Sequence, residues 1–463
     1  MKCYAATGIG LALLALSAQT LASEPPRKPN VIFLLADDVG PEWFAAYGGT
    51  QEFTPNLDRF AREGAYFPYC YSAPLCTPSR VMLMTGKYGH RNYEHFAMFP
   101  VGEAKQTFGN IMKQAGYATC MAGKWQLGKV KPSEMGFDQY LQYNVNQGKS
   151  ENYFWKPYDQ DIHGRIKING LELTTHDLKY GPDIVCKFIT DFIEANKAKP
   201  FFVYHPMLHC HAPWQPTPDT RTADNFPGKA QGYTDMKFYP DNLRYMDKHA
   251  ARIIAKVAEL GLDKDTLVLF TGDNGSPHTK TEADGKSVRG GKGAYTDAGT
   301  HVPLIGYWPG TIRPGSVCRD LVDFTDFYAT FADVAGVKAA DRDGVSFLPQ
   351  LRGEKGHPRD WAFLFYAADT AAGGNRLFKD GERLYGHYWA RNQQWKLYED
   401  GSLFDVASDP AEKRAIQAQS DTAHSAAARK KLEGAFAKLQ VSPEDLKRVS
   451  AKAEAKFNTT KKD

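Results

Sequence analysis

Short apolar runs, each followed at once by polar residues, restrict this chain's fold more than any other feature. Val31-Ile32-Phe33-Leu34-Leu35 has no polar break, and Phe201 to Tyr204, Thr266 to Thr271 and the shorter Tyr117 to Met121 repeat the pattern. A continuous run, in place of an alternating one, describes a strand buried on both faces, as in a parallel sheet. Amphipathic stretches lie between the runs. Thr54 to Gly64 places Leu57 and Phe60 on one face, behind Pro55 at a helix start. Thr107 to Gly116 is a second helix, and Pro182 to Asn196 a third with Ile184, Phe188, Phe192 and Ile193 inward. Asn242 to Leu260 is a longer one, carrying Leu243, Ile253, Ile254 and Val257. Strands alternating with helices predict an α/β fold, a mostly parallel sheet flanked by helices. Beyond about Gly353 the pattern stops. Tyr385 to Tyr398 and Leu403 to Val406 read as antiparallel strands, and Ser425 to Leu439 and Ser442 to Glu454 as helices. The expected division is a main α/β domain over residues 23–352 and a small antiparallel sheet-plus-helix subdomain over 353–463.

Chemistry-bearing residues cluster where the runs end. Open α/β sheets bind ligands at the C-terminal ends of their strands. Asp37-Asp38 follows the first run, and two adjacent carboxylates repel each other unless a cation compensates them. His205, His209 and His211 follow Phe201 to Tyr204; they are proton carriers or loop caps, and zinc ligation lacks a nearby carboxylate in the sequence. Asp273-Asn274-Gly275 follows Thr271 and reads as a turn or a ligand set. Arg289-Gly290-Gly291-Lys292-Gly293 is a glycine-rich basic stretch, by itself a weak anion-loop signal.

Between Cys70 and Gly86 lies Cys76-Thr77-Pro78-Ser79-Arg80, then Val81, Leu83 and Met84. Pro78 suits a first helical turn, so Cys76 is expected just before a helix N-terminus, where free N–H groups favour anions. Its thiolate is expected to be favoured there, with Arg80 reaching back to the same spot. This string, with Thr85-Gly86 after it, resembles the signature of the formylglycine-dependent, arylsulfatase-like sulfatases of the alkaline-phosphatase superfamily. Other stretches resemble that family's motifs in the same order. The resemblance implies that a maturation enzyme oxidises Cys76 to formylglycine, whose hydrate supplies the nucleophilic hydroxyl and later expels sulfate. It implies a calcium ion held by Asp37, Asp38, Asp273, Asn274 and the modified Cys76. Arg80 would hold the hydrate, Lys124 and Lys292 the sulfate, and His211, with Lys292, the leaving oxygen. The donor set is all oxygen, which fits a hard cation tolerant of irregular geometry.

Two positions depart from the family pattern. Gly123-Lys124-Trp125-Gln126-Leu127-Gly128 carries Gln126 where the family has histidine, and glutamine cannot exchange a proton at neutral pH. Asp297 to Pro303 keeps the frame of the family's next motif but has His301 for arginine, so no catalytic role is assigned to it.

Met1 to Ala22 reads as a secretory leader: Lys2, an apolar run from Ile9 to Leu16, and Thr20-Leu21-Ala22 before the cut. The run is too short to span a bilayer, so a periplasmic or secreted protein is expected, free of the membrane once the leader is removed. Cys3 leaves with it, and converting Cys76 leaves an odd number of thiols. A net charge of +4 is too weak to indicate a nucleic-acid partner but suits an anionic substrate. Aromatics amid polar residues from Gln139 to Thr175, expected as a long loop with one hairpin turning at Asn169-Gly170, suit a sugar-binding rim or a loop packed on itself. A sulfated carbohydrate is the expected substrate. Phosphodiester or phosphonate hydrolysis in the same superfamily is the alternative; the two lysines favour a monoanionic sulfate.

Overall fold

The computed structural model describes residues 1, 27–49, 52–92, 97–144, 154–155, 166–222, 224–225, 234–277, 280–281, 287–288, 290–339, 341–366, 378–379, 382–383, 387–442 and 445. Apart from Met1, the expected leader lies outside the described residues, as do Tyr153, Tyr158, Arg289 and most of the expected helix after Ser442. No helix among the described residues is long and apolar enough to cross a membrane.

In chain order the first strands are β1 (Asn30–Ala36), β2 (Ala65–Tyr66), β3 (Cys70–Tyr71), β4 (Ala118–Lys124), β5 (Gln139–Tyr143), β6 (Ile166–Ile168), β7 (Leu171–Glu172), β8 (Phe201–Pro206) and β9 (Thr266–Gly272). The helices that matter here are α1 (Pro55–Glu63), α2 (Cys76–Thr85), α3 (Gly89–Asn92), α4 (Phe108–Gln114), α5 (Gly181–Ala195), α6 (Tyr239–Glu259), α7 (Asp297–Thr300) and α8 (Thr325–Ala335). Ten strands form one sheet in the order Ser316–Val317, β2, Leu304–Tyr307, β9, β1, β8, β4, β5, β6, β7. Its centre, β9-β1-β8-β4-β5, is parallel throughout; antiparallel strands close both sides.

The unbroken apolar runs become the central strands because each side chain has a core to enter. Val31, Phe33 and Leu35 face one cluster with α2, α4 and α8, while Ile32 and Leu34 face the other with α1, α5 and α6. Phe33 alone packs against Phe108, Tyr204, Phe327 and Phe331. Each such side chain contributes roughly 1.5–3 kcal/mol through its burial. Asn30 ties the opposite end of the sheet: it donates to Thr266 Oγ1 at 3.1 Å and accepts from Phe201 N at 3.2 Å.

The expected fold class is observed. A four-stranded antiparallel sheet, Ala362–Tyr366, His387–Arg391, Trp395–Tyr398 and Leu403–Asp405, lies toward the C-terminus beside the helix Ala423–Leu439. The expected loop after Gln139 is corrected at its start. Gln139 to Tyr143 is strand β5, whose Tyr140, Leu141 and Tyr143 are buried, so two of the rim aromatics are core. The hairpin is present: β6 and β7 pair across Asn169 and Gly170, both with positive φ (50° and 88°), as a tight two-residue turn requires.

Candidate active site

The central strands deliver their polar followers to one edge of the sheet. Asp37 and Asp38 leave β1, Lys124 closes β4, and Asp273 and Asn274 leave β9. Beyond β8 the chain keeps pairing with β1's exit: Met207 N donates to Leu35 O at 2.8 Å, Asp37 N to His209 O at 2.9 Å, and Cys210 N to Asp37 O at 2.6 Å. Asp38 then takes a left-handed backbone (φ 61°), which aspartate tolerates better than most residues. Gly123 is required where β4 meets β8, since a Cβ there would fall 2.0 Å from Pro206 O.

Helix α2 is buried along its whole length and begins at Cys76, one residue earlier than the sequence implied. Leu75, the extended residue before it, offers no side-chain cap. Gly86 ends the helix with φ 64°, its N–H on Met82 O. One turn in, Arg80 directs its fork at the carboxylates: Nε and Nη2 donate to Asp273 Oδ2 at 3.3 and 2.9 Å, and Nη2 lies 3.6 Å from Asp37 Oδ2. Nη1 donates to Lys124 O at 3.1 Å. Three donors of Arg80 thus brace β9 and β4 before anything is bound.

Lys124 Nζ sits 2.5 Å from Asp37 Oδ2, and Lys292 Nζ 2.6 Å from Asp38 Oδ2. Asp38 also accepts from Asn274 Nδ2 at 2.8 Å, and its own N–H donates to Asp273 Oδ1 at 3.1 Å. Lys292 and its neighbours hold the Asp38 carboxyl well below the usual carboxylate range despite burial. Asp273 goes the other way, pushed up to about 7 by burial and by the charge of Asp37, against the pull of Arg80. Every expected site residue except His211 and Lys292 is buried. All are brought together: Lys124, Lys292, Asp37 and Asp273 are the charges felt at Cys76.

The thiol expectation is corrected. Burial pushes the Cys76 thiol up, and the two lysines offset this only in part. As a plain cysteine it is a poor nucleophile at neutral pH. All six described cysteines are unpaired thiols.

His211 Nε2 lies 3.8 Å from Asp38 Oδ2, and Nδ1 is 2.6 Å from Ala212 O, which fixes the proton on Nδ1 in the neutral ring. Burial and the two lysines push it down to about 4. It therefore meets the expected role of proton donor only after taking up a proton from the reaction. His209 points away from the site: its Nε2 meets Tyr180 OH at 3.0 Å, among the rings of Phe154, Tyr245 and His249. His205 is buried on Ala122 O at 2.6 Å. His301 also lies elsewhere, stacked on Tyr71 and bonded to Pro68 O at 2.7 Å. Gln126 has positive φ (47°), and its Oε1 is buried with no hydrogen-bond partner among the described residues.

A cation fits this site on the site's own terms. Asp37 Oδ1 and Asn274 Oδ1 are buried and have no hydrogen-bond partner among the described residues, a costly state for an acceptor. They stand with Asp38 and Asp273, an all-oxygen donor set. Asp37, Asp38 and His211 also bring ligand atoms within 4.8 Å of one another, but two hard carboxylates dominate that group.

The sequence did not point to Tyr239, whose hydroxyl donates to Asp38 O at 2.7 Å, or to the backbone pairing at His209 and Cys210. Tyr239 is the first residue of α6, just ahead of Pro240, and a tyrosine there carries no periodic signal.

The family model described as Sulfatase matches residues 29–337, and that of N-sulphoglucosamine sulphohydrolase, C-terminal, matches residues 292–441. The N-acetylgalactosamine-6-sulfatase of Canis lupus familiaris is 30% identical over 437 residues, covering 86% of this chain and 79% of that protein. Two solved structures resemble the fold at 22% identity. Ps i-CgsB in complex with k-i-k-neocarrahexaose has a TM-score of 0.71, covering 94% of this chain and 99% of its own. A second, in complex with its substrate D-glucosamine-2-N,6-O-disulfate, has a TM-score of 0.66, covering 91% and 98%.

Proposed function

Because this chain belongs to the sulfatase family, and is thus a sulfuric ester hydrolase, we propose that it is an exported enzyme removing sulfate from a sulfated carbohydrate. One observation carries the reading: two ammonium groups, an arginine and an all-oxygen ligand set converge on Cys76 at the strand ends. The carbohydrate is supported by the sugar named for the mammalian relative and by the two sugar-bound structural neighbours.

Formylglycine at position 76 would supply a hydrated aldehyde, with one hydroxyl to attack sulfur and a second to release sulfate. Calcium, held by Asp37, Asp38, Asp273 and Asn274, would supply fixed positive charge for the equatorial oxygens. The chain's own residues do the rest. Lys124 and Lys292 neutralise charge on the sulfate, and they are already placed, so no reorganisation is needed as charge develops. Arg80 holds Asp273 and the end of β4 in register. Lys292 carries a proton that can pass to the leaving oxygen, with His211 beside Asp38 as the group that can accept one. Gln126 offers an amide to orient the substrate and no proton.

Mass measurement of the peptide spanning Cys76 in an active preparation is expected to show the thiol replaced by an aldehyde; full activity with an intact cysteine would refute the mechanism. Sulfated mono- and oligosaccharides, scored by released sulfate, are expected to turn over faster than an aryl phosphodiester; the reverse order would favour phosphodiester hydrolysis. Gln126→His is expected to keep kcat within about tenfold and to add a titration near neutral pH to its profile. Complete loss would mean that the amide itself is indispensable.

A further inference from the structure

The loop that carries Lys292 is gripped by the C-terminal antiparallel sheet. Three residues after Lys292, the carbonyl of Tyr295 receives Lys396 Nζ at 2.6 Å and Trp389 Nε1 at 3.1 Å, while Tyr398 OH, 3.4 Å away, gives its one proton to Glu412 Oε2. A carbonyl oxygen has two lone pairs, and both are taken here by side chains of one distant sheet, one of them charged. Two residues further on, Asp297 pairs with Arg391 and lies 3.8 Å from Lys396 Nζ. Arg391 also covers the ring of Tyr71, 4.1 Å from its centroid, on the strand that leads into Cys76.

Within the loop, Gly293 N donates to Pro74 O at 2.8 Å and Lys292 N to Ser276 O at 3.2 Å. Lys292 is therefore held between the nucleophile segment, the Asp273-Asn274 segment and the C-terminal sheet. The glycines on both sides of it give the loop little stiffness of its own.

Stability does not account for the charges. Lys396 is fully buried, and the side chain of its partner Glu412, 2.8 Å away, is 3% exposed. Well-packed apolar residues serve a fold as well as a buried ion pair, or better. We propose that Lys396 and Arg391 are positioning residues for Lys292, acting through the Tyr295 carbonyl and the Asp297 carboxylate. This rests on Lys292 being a sulfate ligand.

The test uses the purified full chain, with an aryl sulfate as substrate and inorganic sulfate as product inhibitor. Lys396→Met is expected to lower kcat/KM about tenfold and to weaken inhibition by sulfate by a similar factor. Trp389→Phe, which keeps a ring and loses one N–H donor, is expected to move both in the same direction by about threefold. In a Lys292→Ala background neither substitution should change sulfate inhibition by more than about twofold, because the residue they act through is gone. Effects of equal size in both backgrounds, or native values for both single variants, would overturn the proposal. If Lys396→Met does not fold, Trp389→Phe carries the comparison alone. If Lys292→Ala by itself leaves turnover and sulfate inhibition unchanged, the sulfate-ligand role of Lys292 fails first, and the proposal with it.

Discussion

Cys76→Ala is expected to abolish turnover of every sulfate ester, by at least about a thousandfold, while the protein still folds. The two halves have separate causes. Cys76 is 1% exposed and sits at the first position of α2, so the substitution removes only what lies beyond Cβ, the thiol or the group that replaces it, from a packed site. Alanine is a good helix former, and the lost contacts amount to about 1 kcal/mol. Activity suffers far more, because position 76 is where Lys124, Lys292, Asp37 and Asp273 all exert their charge. On the proposed mechanism, the remaining charges would hold sulfate with no group to attack it. The measurement pairs initial rates on an aryl sulfate with a thermal melt. A melt close to wild type with residual activity above one per cent would separate this position from the chemistry.

Asp273→Ala is expected to do the reverse, damaging fold and function together. Arg80 is fully buried and directs two donors at Asp273 Oδ2. Removing that carboxylate leaves a buried guanidinium with only Asp37, 3.6 Å away, as counter-charge among the described residues. Breaking a buried pair from one side costs about 3–5 kcal/mol. The Asp38 N–H also loses its acceptor, and the proposed cation site loses a ligand. The variant is therefore expected to melt well below wild type and to lack the rise in melting temperature that added calcium is expected to give the parent. Asp273→Asn keeps the shape and removes the charge; it should recover part of the melt and none of the calcium response. A calcium-dependent melt in either variant would remove Asp273 from the ligand set.

The strands and the site were legible together because one property produced both. Val31 to Leu35 and its counterparts are buried on both faces, which makes them visible without any periodic pattern and makes their polar followers stand out. Strand β5 was hidden because Gln139 and Gln142 interrupt its apolar residues at the sheet's margin. Ala362–Tyr366 is apolar enough to see, but it precedes the stretch read as antiparallel, and only its partner His387–Arg391 defines it as a strand. Helix α6 begins at Tyr239, with Pro240 as its second residue, a place where proline needs no hydrogen bond. The Cys76 thiol was misread because a helix terminus and an arginine are visible in a sequence and desolvation is not. The contacts of Lys396 and Arg391 with residues 295 and 297 span about a hundred positions, and no local rule reports a pairing at that distance.

The burial of Cys76 bears on when the proposed conversion could take place. All ten residues of α2 are buried, and the charged groups around Cys76 come from β1, β4, β9 and the loop at Lys292. A small sulfate ester needs only the half-buried side of the site at Lys292 and His211, whereas an enzyme oxidising Cys76 would have to surround the peptide that carries it. If position 76 becomes formylglycine, as proposed, the change is expected to come before these segments close, while the stretch is still an open peptide.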